Sequence, residues 1–421
     1  MSSNIRNTTS LFLGVGLLFL SSGMLFTLVV VRAKDAGFST QAIAVLQSSY
    51  QFGWLLAAIF ISSLIHRVGH IRVFAALTAL ASSVILLQIL YIQEYAWILD
   101  RIVMGICVAG LMVVAESWLN EMSTNSDRGR NLAIYTIVSW GAPVIGVWLL
   151  RFGETSSNTL FLLASVLISL AAIPLLLSVT KTPQLIEVEF FGLKRLYNIT
   201  PLGFIGTLIS GMCHGAFFGL ISLYGVEINL RIDQLSNLIA LGLLSGVLLQ
   251  WPIALISDKF DRRLVLIATA SLAALPAIYF SFIDNISITQ LYISISLMGA
   301  FTISLYSQCI AHVNDLLKPA QIVSATGLLV LIYGAGFTMS PLIIGQLIAI
   351  SAHFFFITNG LLSASLALYT LYRTIRSKPV EDQGELINIP AASPYSAVVL
   401  AAEEWAEESD VEYMEESKNP V

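Results

Sequence analysis

LISDKFDRRLVLI, residues Leu255–Ile267, holds five charged side chains within six positions: Asp258, Lys259, Asp261, Arg262 and Arg263. The flanking runs 234–257 and 264–283 hold none. Each run is long enough for a helix to cross a bilayer, which takes about 20 mostly apolar residues. The knot of charge therefore reads as a tight loop between two membrane helices. A second stretch, SLIHRVGHIRVFA (Ser63–Ala75), has the same character nearly 200 residues earlier.

Working outward, the whole chain follows this pattern. Of 421 residues, 57% are apolar and 11% charged, where a soluble domain carries about 25% charged residues. Mean hydropathy is +0.83. No water-soluble core absorbs that much apolar surface, so lipid is the solvent for most of the chain. Twelve spans are predicted at 11–31, 41–62, 73–92, 96–117, 130–150, 159–179, 201–224, 234–256, 264–283, 289–312, 321–347 and 352–372. They are helices, because lipid cannot satisfy backbone N–H and C=O groups left open. Cys107, Cys213 and Cys309 each lie in an apolar run, with no spacing for a disulfide framework or a metal site.

An even number of spans puts both termini on one side, and Lys and Arg choose the side. With both ends cytoplasmic, 16 of the 21 basic residues fall on inner segments and four (Arg32, Lys34, Arg151, Arg231) on outer loops. The expected location is a bacterial inner membrane. After Arg373 the chain carries eleven acids against Arg376, Lys378 and Lys418. This acidic tail, 377–421, reads as disordered, with a short helix around 396–408 as an option.

The two charge knots lie six spans apart, which suggests two six-helix halves. At an offset of 194, Gly105 meets Gly299, Asn120 meets Asn314 and Glu121 meets Asp315. GAPVIG in span 5 is matched by MSPLIIG in span 11. The expected domains are 1–180 and 201–376. They are joined by a cytoplasmic linker, 181–200, with an amphipathic segment in which Phe190, Phe191 and Leu193 face lipid and Lys194 and Arg195 face headgroups.

The chain resembles the major facilitator superfamily over nearly all its length up to Arg376, and within it the bacterial YcaD-type, or unknown major facilitator, subgroup. The family's loop motif G-x-x-x-D-R-x-G-R-R/K is met by Arg67 and Gly69, with His66 at the Asp position and Ser62 at the first Gly. In the second half Asp258, Lys259, Arg262 and Arg263 match, with Asp261 at the Gly position. Arg101 and Gly105 match R-x-x-x-G in span 4; Pro143 and Gly146 match the span 5 pattern. ESWLN (Glu116–Asn120) and LLQWPIALISD carry the subgroup likeness. The resemblance implies an all-α fold of two pseudo-symmetric six-helix bundles. It also implies a secondary transporter working by alternating access, and a conformational switch in the loop motif. The cargo is not implied.

Candidate residues follow. Arg101, beside Asp100, is a charge inside a span, which marks a functional site unless the pair reaches the outer interface. It is about 22 Å from Glu116 along the helix, so those two bracket the cleft. His214 shares a face with Thr207 and Ser210 and is a candidate for proton coupling; a neutral histidine bonded to a hydroxyl is the plain alternative. Ser21, Tyr50, Gln51 and Tyr306 offer neutral hydrogen-bonding groups in spans 1, 2 and 10, or ordinary glue between helices. The basic-loop candidates are His66, Arg67, Gly69, Arg72, Asp258, Lys259, Arg262 and Arg263, with Glu116 and Asp315 as acidic partners for the arginines. Pro143, Gly146, Pro341 and Gly345 are candidates for bending or for close packing in spans 5 and 11.

No phosphate loop, H-E-x-x-H, nucleophile elbow or His/Cys cluster occurs. An enzyme, an ATP-driven pump and a nucleic-acid partner are not expected. A channel is also not expected, since rings of filter residues are lacking. The expectation is a monomer in lipid, moving a small molecule with the proton gradient as energy source and no cofactor. A ligand-binding receptor of transporter-like build is the alternative.

Overall fold

The computed structural model describes residues 2–122, 128–177 and 192–376. Among these, all regular elements are helical. The first half contains α1 (Ser2–Asp35), α2 (Thr40–Val68), α3 (His70–Leu90), α4 (Glu94–Met122), α5 (Arg128–Leu149) with a 3₁₀ turn (Leu150–Phe152), and α6 (Thr159–Leu176). The short α7 (Leu193–Ile199) leads to the second half: α8 (Pro201–Phe217), α9 (Ile221–Glu227), α10 (Ile232–Lys259), α11 (Arg262–Ser281), α12 (Ile288–Thr302), α13 (Ser304–Asn314), α14 (Pro319–Ile348) and α15 (Phe354–Arg376). Twelve segments are long and apolar enough to cross a membrane. Leucines such as Leu248, Leu275, Leu361 and Leu368 stand exposed on their flanks, as a lipid-facing surface requires.

The two halves repeat one packing scheme. α1 lies along α5 as α8 lies along α14, and α2 along α4 as α10 along α12. Glycine sets the closest approaches. A Cβ on Gly105 would strike the Tyr50 carbonyl of α2, and one on Gly299 would strike the Gly242 carbonyl of α10. The sequence repeat pairing Gly105 with Gly299 is thus one device used twice: small residues let membrane helices touch backbone to backbone. The halves meet mainly where α2 crosses α14 and α5 crosses α10.

We call the end holding the α2–α3 and α10–α11 turns the basic end, and the other the far end. The two basic-end turns differ. Gly69 has φ +91°, a conformation that favours glycine. Asp261, at the equivalent place, has φ −52° and caps α11: its side chain accepts from the Arg263 N–H. The departure from the family's Gly is therefore a change of turn chemistry. The Arg263 guanidinium bonded to it, helped by that backbone N–H, holds the Asp261 carboxyl below the usual carboxylate range.

Two predicted spans, 201–224 and 289–312, are not single helices. The first breaks at Phe218–Leu220, where the Phe218 and Gly219 N–H groups both turn back to the His214 carbonyl, at 2.8 and 3.4 Å. The second breaks at Ile303, whose N–H reaches Gly299 O only at 3.4 Å. Pro143 and Pro341, by contrast, sit inside uninterrupted α5 and α14. A Cβ on Gly23 of α1 would strike Pro143, one on Gly146 would strike the Leu20 carbonyl of α1, and one on Gly345 would strike Ala44 of the other half.

In the linker, Leu193, Lys194, Arg195 and Tyr197 are exposed and Leu196 is buried. Phe190, Phe191, the tail 377–421 and its 396–408 segment lie outside the described residues, as do the side chains of Asn120 and Glu121.

Candidate transport cavity

A cavity of about 240 Å³ lies between the halves. Its wall comes from α1, α2, α4 and α5 on one side and α8, α9, α10, α13 and α14 on the other. Nine aromatic rings line it: Phe19, Phe26, Tyr50, Trp54, Trp140, Phe218, Tyr306, Tyr333 and Phe337. Ser22, Thr27, Gln51, Gln250 and Ser307 add polar groups, and His214 is the one histidine among the described residues of the wall. Among the described residues, no Asp, Glu, Lys or Arg is in the wall. Such a surface offers ring faces for stacking and neutral hydrogen-bonding groups, with no ionised group to match a ligand charge.

Of the sequence candidates, Tyr50, Gln51, Pro143, His214 and Tyr306 line this cavity. Ser21 does not: its hydroxyl donates to the Ala164 carbonyl of α6 at 2.9 Å, while its neighbour Ser22 faces inward. Ser210 turns its hydroxyl to Thr207 O, and its carbonyl meets the His214 ring at 2.8 Å. The His214 ring lies against Phe218 and edge-on to Tyr333, at centroid distances of 5.7 and 5.5 Å.

Arg101 sits behind the wall at 2% exposure. Its guanidinium lies 4.3 Å from the Tyr50 ring centroid and 5.7 Å from that of Phe26, and Nη2 donates to Gln47 Oε1 at 3.1 Å. Among the described residues its Nε has no partner. The alternative of an Asp100–Arg101 pair at the interface is not formed: among the described residues Asp100, though buried, makes no ion pair with it. Gln47 passes the contact on, donating from Nε2 to the Gly219 carbonyl at 3.2 Å. Arg101 of α4, Gln47 of α2 and the break between α8 and α9 are thus strung across the interface of the halves.

Other polar contacts join the halves at or near the far end. Glu227 accepts from Lys34 Nζ at 2.8 Å and from Thr40 Oγ1 at 2.7 Å. Arg151 donates to the Asp233 carbonyl at 3.1 Å and to the Asn237 side chain. Thr27 and Ser222 hydroxyls meet at 3.4 Å.

The basic-end candidates form a separate cluster. Arg262 Nε donates to Asp315 Oδ2 at 2.7 Å and Nη1 to Asp258 Oδ1 at 3.1 Å. All three belong to the second half, and these bonds tie α10, α11 and α13 together. Lys259 is exposed. In the first half His66, Arg67 and Arg72 are exposed. Glu116, buried, accepts from Tyr135 OH at 2.9 Å. The buried histidine of this loop is His70, with Nε2 2.9 Å from Ser117 Oγ; the sequence reading passed over it.

The family model described as Major Facilitator Superfamily matches residues 11–230 and 203–402. The chain belongs to the major facilitator superfamily. It is 28% identical over 348 residues to an uncharacterized MFS-type transporter, YcaD, of Salmonella arizonae, covering 81% of this chain and 88% of that one. The YcaD transporter of Escherichia coli O45:K1 is 27% identical over 343 residues. Among solved structures, a mutant form of the nucleoside transporter NupG superposes with TM-score 0.76 at 13% identity, covering 87% of this chain and all of that one. A D-xylose-proton symporter superposes with TM-score 0.67 at 15% identity, over 87% and 97%. These two likenesses carry the fold alone. As a major facilitator superfamily member the chain is a multi-pass membrane transporter, all-α, with twelve spans.

Seven of the nine cavity rings, Phe19, Phe26, Trp54, Trp140, Phe218, Tyr333 and Phe337, carried no distinguishing signal in the sequence. In a chain this apolar an aromatic facing lipid and one facing a cavity look alike.

Proposed function

We propose that this transporter moves a small, uncharged solute bearing an aromatic or other flat ring, by alternating access, driven by the proton gradient. The carrying observation is the interfacial cavity itself: nine aromatic rings, five neutral polar residues and one histidine, with no Asp, Glu, Lys or Arg among the described residues of its wall. A multiply charged cargo would leave its charge unpaired in that wall, a costly arrangement. The distribution of Lys and Arg supports a bacterial inner membrane with cytoplasmic termini. In that orientation the far-end contacts Lys34–Glu227 and Arg151–Asn237 close the outer side. Rocking the halves against each other must break them.

The test uses proteoliposomes holding a pH dye. Nucleosides, which share the stated chemistry and are named for the NupG neighbour, go on the panel first. Other flat neutral metabolites and a multiply charged sugar phosphate follow. Substrate-triggered pH change by a neutral ring compound, weakened in Trp54→Leu or Trp140→Leu, is the expected result. Uptake of the sugar phosphate with no response to ring compounds would sink the proposed cargo class.

A further inference from the structure

The cargo cavity continues past its aromatic wall. A smaller chamber of about 50 Å³ adjoins it, and Gln51, Trp54, Tyr333 and Phe337 belong to the walls of both. Beyond those four the chamber is lined by Leu55 and Ala58 of α2, Ala109 and Val113 of α4, and Val330 and Gly334 of α14. Helical spacing explains the lining. Gln51, Leu55 and Ala58 step by four and three, Ala109 and Val113 by four, and Val330, Gly334 and Phe337 by four and three, so each set shares one helix face. On all three helices the chamber lies on the basic-end side of the cavity: past Gln51 and Trp54 on α2, past Val108 on α4, and before Tyr333 on α14, which runs the opposite way.

The two spaces differ in chemistry. The six residues beyond the junction carry only aliphatic side chains or none, and Ala58, Ala109 and Gly334 leave the room by what they lack. A Cβ on Gly334 would meet only the side chain of Leu55. A void with such a lining holds water poorly, and its walls lack dispersion partners on one side, so an apolar occupant suits it. Gln51 stands at the junction. Among the described residues its carboxamide makes no hydrogen bond, which leaves its N–H and C=O groups for a ligand. One water-sized group takes about 10–15 Å³ of such a space. The chamber therefore receives roughly four, an alkyl arm of about four carbons.

We propose, resting on the reading of the larger cavity as the cargo site, that this chamber is a specificity subsite for a short aliphatic arm of the cargo. The ring stacks among the aromatic side chains of the larger space. The Gln51 carboxamide bonds a carbonyl or N–H where the arm meets the ring. The arm fills the space between α2, α4 and α14. The cargo class narrows accordingly, to a neutral ring compound with an alkyl arm of about four carbons joined through a polar link. α2 and α4 belong to the first half and α14 to the second, so the arm, like the ring, is held across the seam that moves in transport.

The experiment measures equilibrium binding of radiolabelled para-hydroxybenzoate esters, methyl through octyl, to the full chain in lipid nanodiscs. Each ester is a flat ring, a carbonyl and an alkyl arm in that order, and is uncharged at mildly acidic pH. Empty nanodiscs give the lipid contribution, which is subtracted. A methylene entering a dry apolar site is worth about fourfold in affinity, so the butyl ester should bind roughly 60-fold tighter than the methyl ester. Affinity should fall again at hexyl and octyl, which overrun the chamber. Ala109→Leu places its extra carbons in the chamber and should bring the butyl-to-methyl ratio close to one. Val113→Ala makes room and should move the tightest binding to a longer ester. A length optimum unmoved by either substitution overturns the proposal. So does affinity that climbs without a break to octyl, the behaviour of a lipid-facing groove or an open exit path, and so does the absence of binding at any length. Should Ala109→Leu fail to fold, Val113→Ala and the length profile of the unaltered protein decide. An optimum near butyl in a protein that moves no ring compound in proteoliposomes would leave the subsite standing and overturn the transport reading. Transport of ring compounds with no length optimum would do the reverse.

Discussion

Removing the Glu227 carboxylate should loosen the far end by an amount that the geometry sets. Glu227 receives Lys34 Nζ at 2.8 Å and Thr40 Oγ1 at 2.7 Å, so one side chain from the second half holds the ends of α1 and α2. The pair is part-exposed, with side-chain exposures of 38% for Lys34 and 19% for Glu227. Solvent screening limits the ion pair to about 1 kcal/mol. The hydroxyl bond to the carboxylate adds roughly 1 kcal/mol, the low end for a charged acceptor because water still reaches it. Glu227→Ala should therefore shift the ratio of far-end-open to far-end-closed molecules by about 2 kcal/mol, roughly 30-fold. Glu227→Gln, which keeps both bonds in neutral form, should shift it roughly fivefold. Spin labels at the exposed loop positions Ala36 and Asn285 would report this as a growing long-distance population. The shift from Lys34→Ala should vanish when the unaltered protein is compared at 1 M salt, where the screening length is about 3 Å. A distance distribution identical in Glu227→Ala and the parent would refute the assignment of this contact as a gate.

Arg101→Met should leave thermal stability unchanged or higher, since replacing a buried charge by an apolar side chain of similar size is often neutral or stabilising, while transport in proteoliposomes falls at least tenfold; a large fall in melting temperature with transport intact would reverse that assignment. Arg262→Ala should destabilise by about 3–5 kcal/mol, because Asp315, 4% exposed in its side chain, loses a buried ion-pair partner; detergent-stability melts read this directly. Gly105→Val and Gly299→Val should each cost about 1–3 kcal/mol or more, since backbone of the neighbouring helix stands where the side chain must go; equal losses from both would confirm that the repeat is one packing device. Asp261 contributes stability through a depressed carboxyl pKa, so its share is present above about pH 4 and is lost as pH falls through the folded-state value; Asp261→Ala should flatten that acid limb and cost about 1 kcal/mol more from the lost helix cap.

What the sequence determined is bound up with exclusion. Lipid rejects charge and open backbone groups, so a run such as 264–283 has to be a spanning helix, and the charges of Asp258–Arg263 have to sit at the tight turn between two of them. The same rule places twelve spans, and the Gly105–Gly299 offset exposes the repeat. Those constraints are local or periodic, and a one-dimensional string carries them. What faces what is a different matter. Ser21 and Ser22 are neighbours of one type, yet the first bonds Ala164 and the second borders the cavity; only the rotation of α1 within its bundle separates them. His66 and His70 flank one tight turn, and only the fold makes the second the buried one. Asp315 meets Arg262 of α11, a pairing of residues 53 positions apart that only the fold brings together. The helix breaks fall at Phe218–Leu220 and Ile303 rather than at the prolines. A proline's lost bond shows in the sequence, whereas the place of these breaks depends on packing that exists only once the helices have assembled.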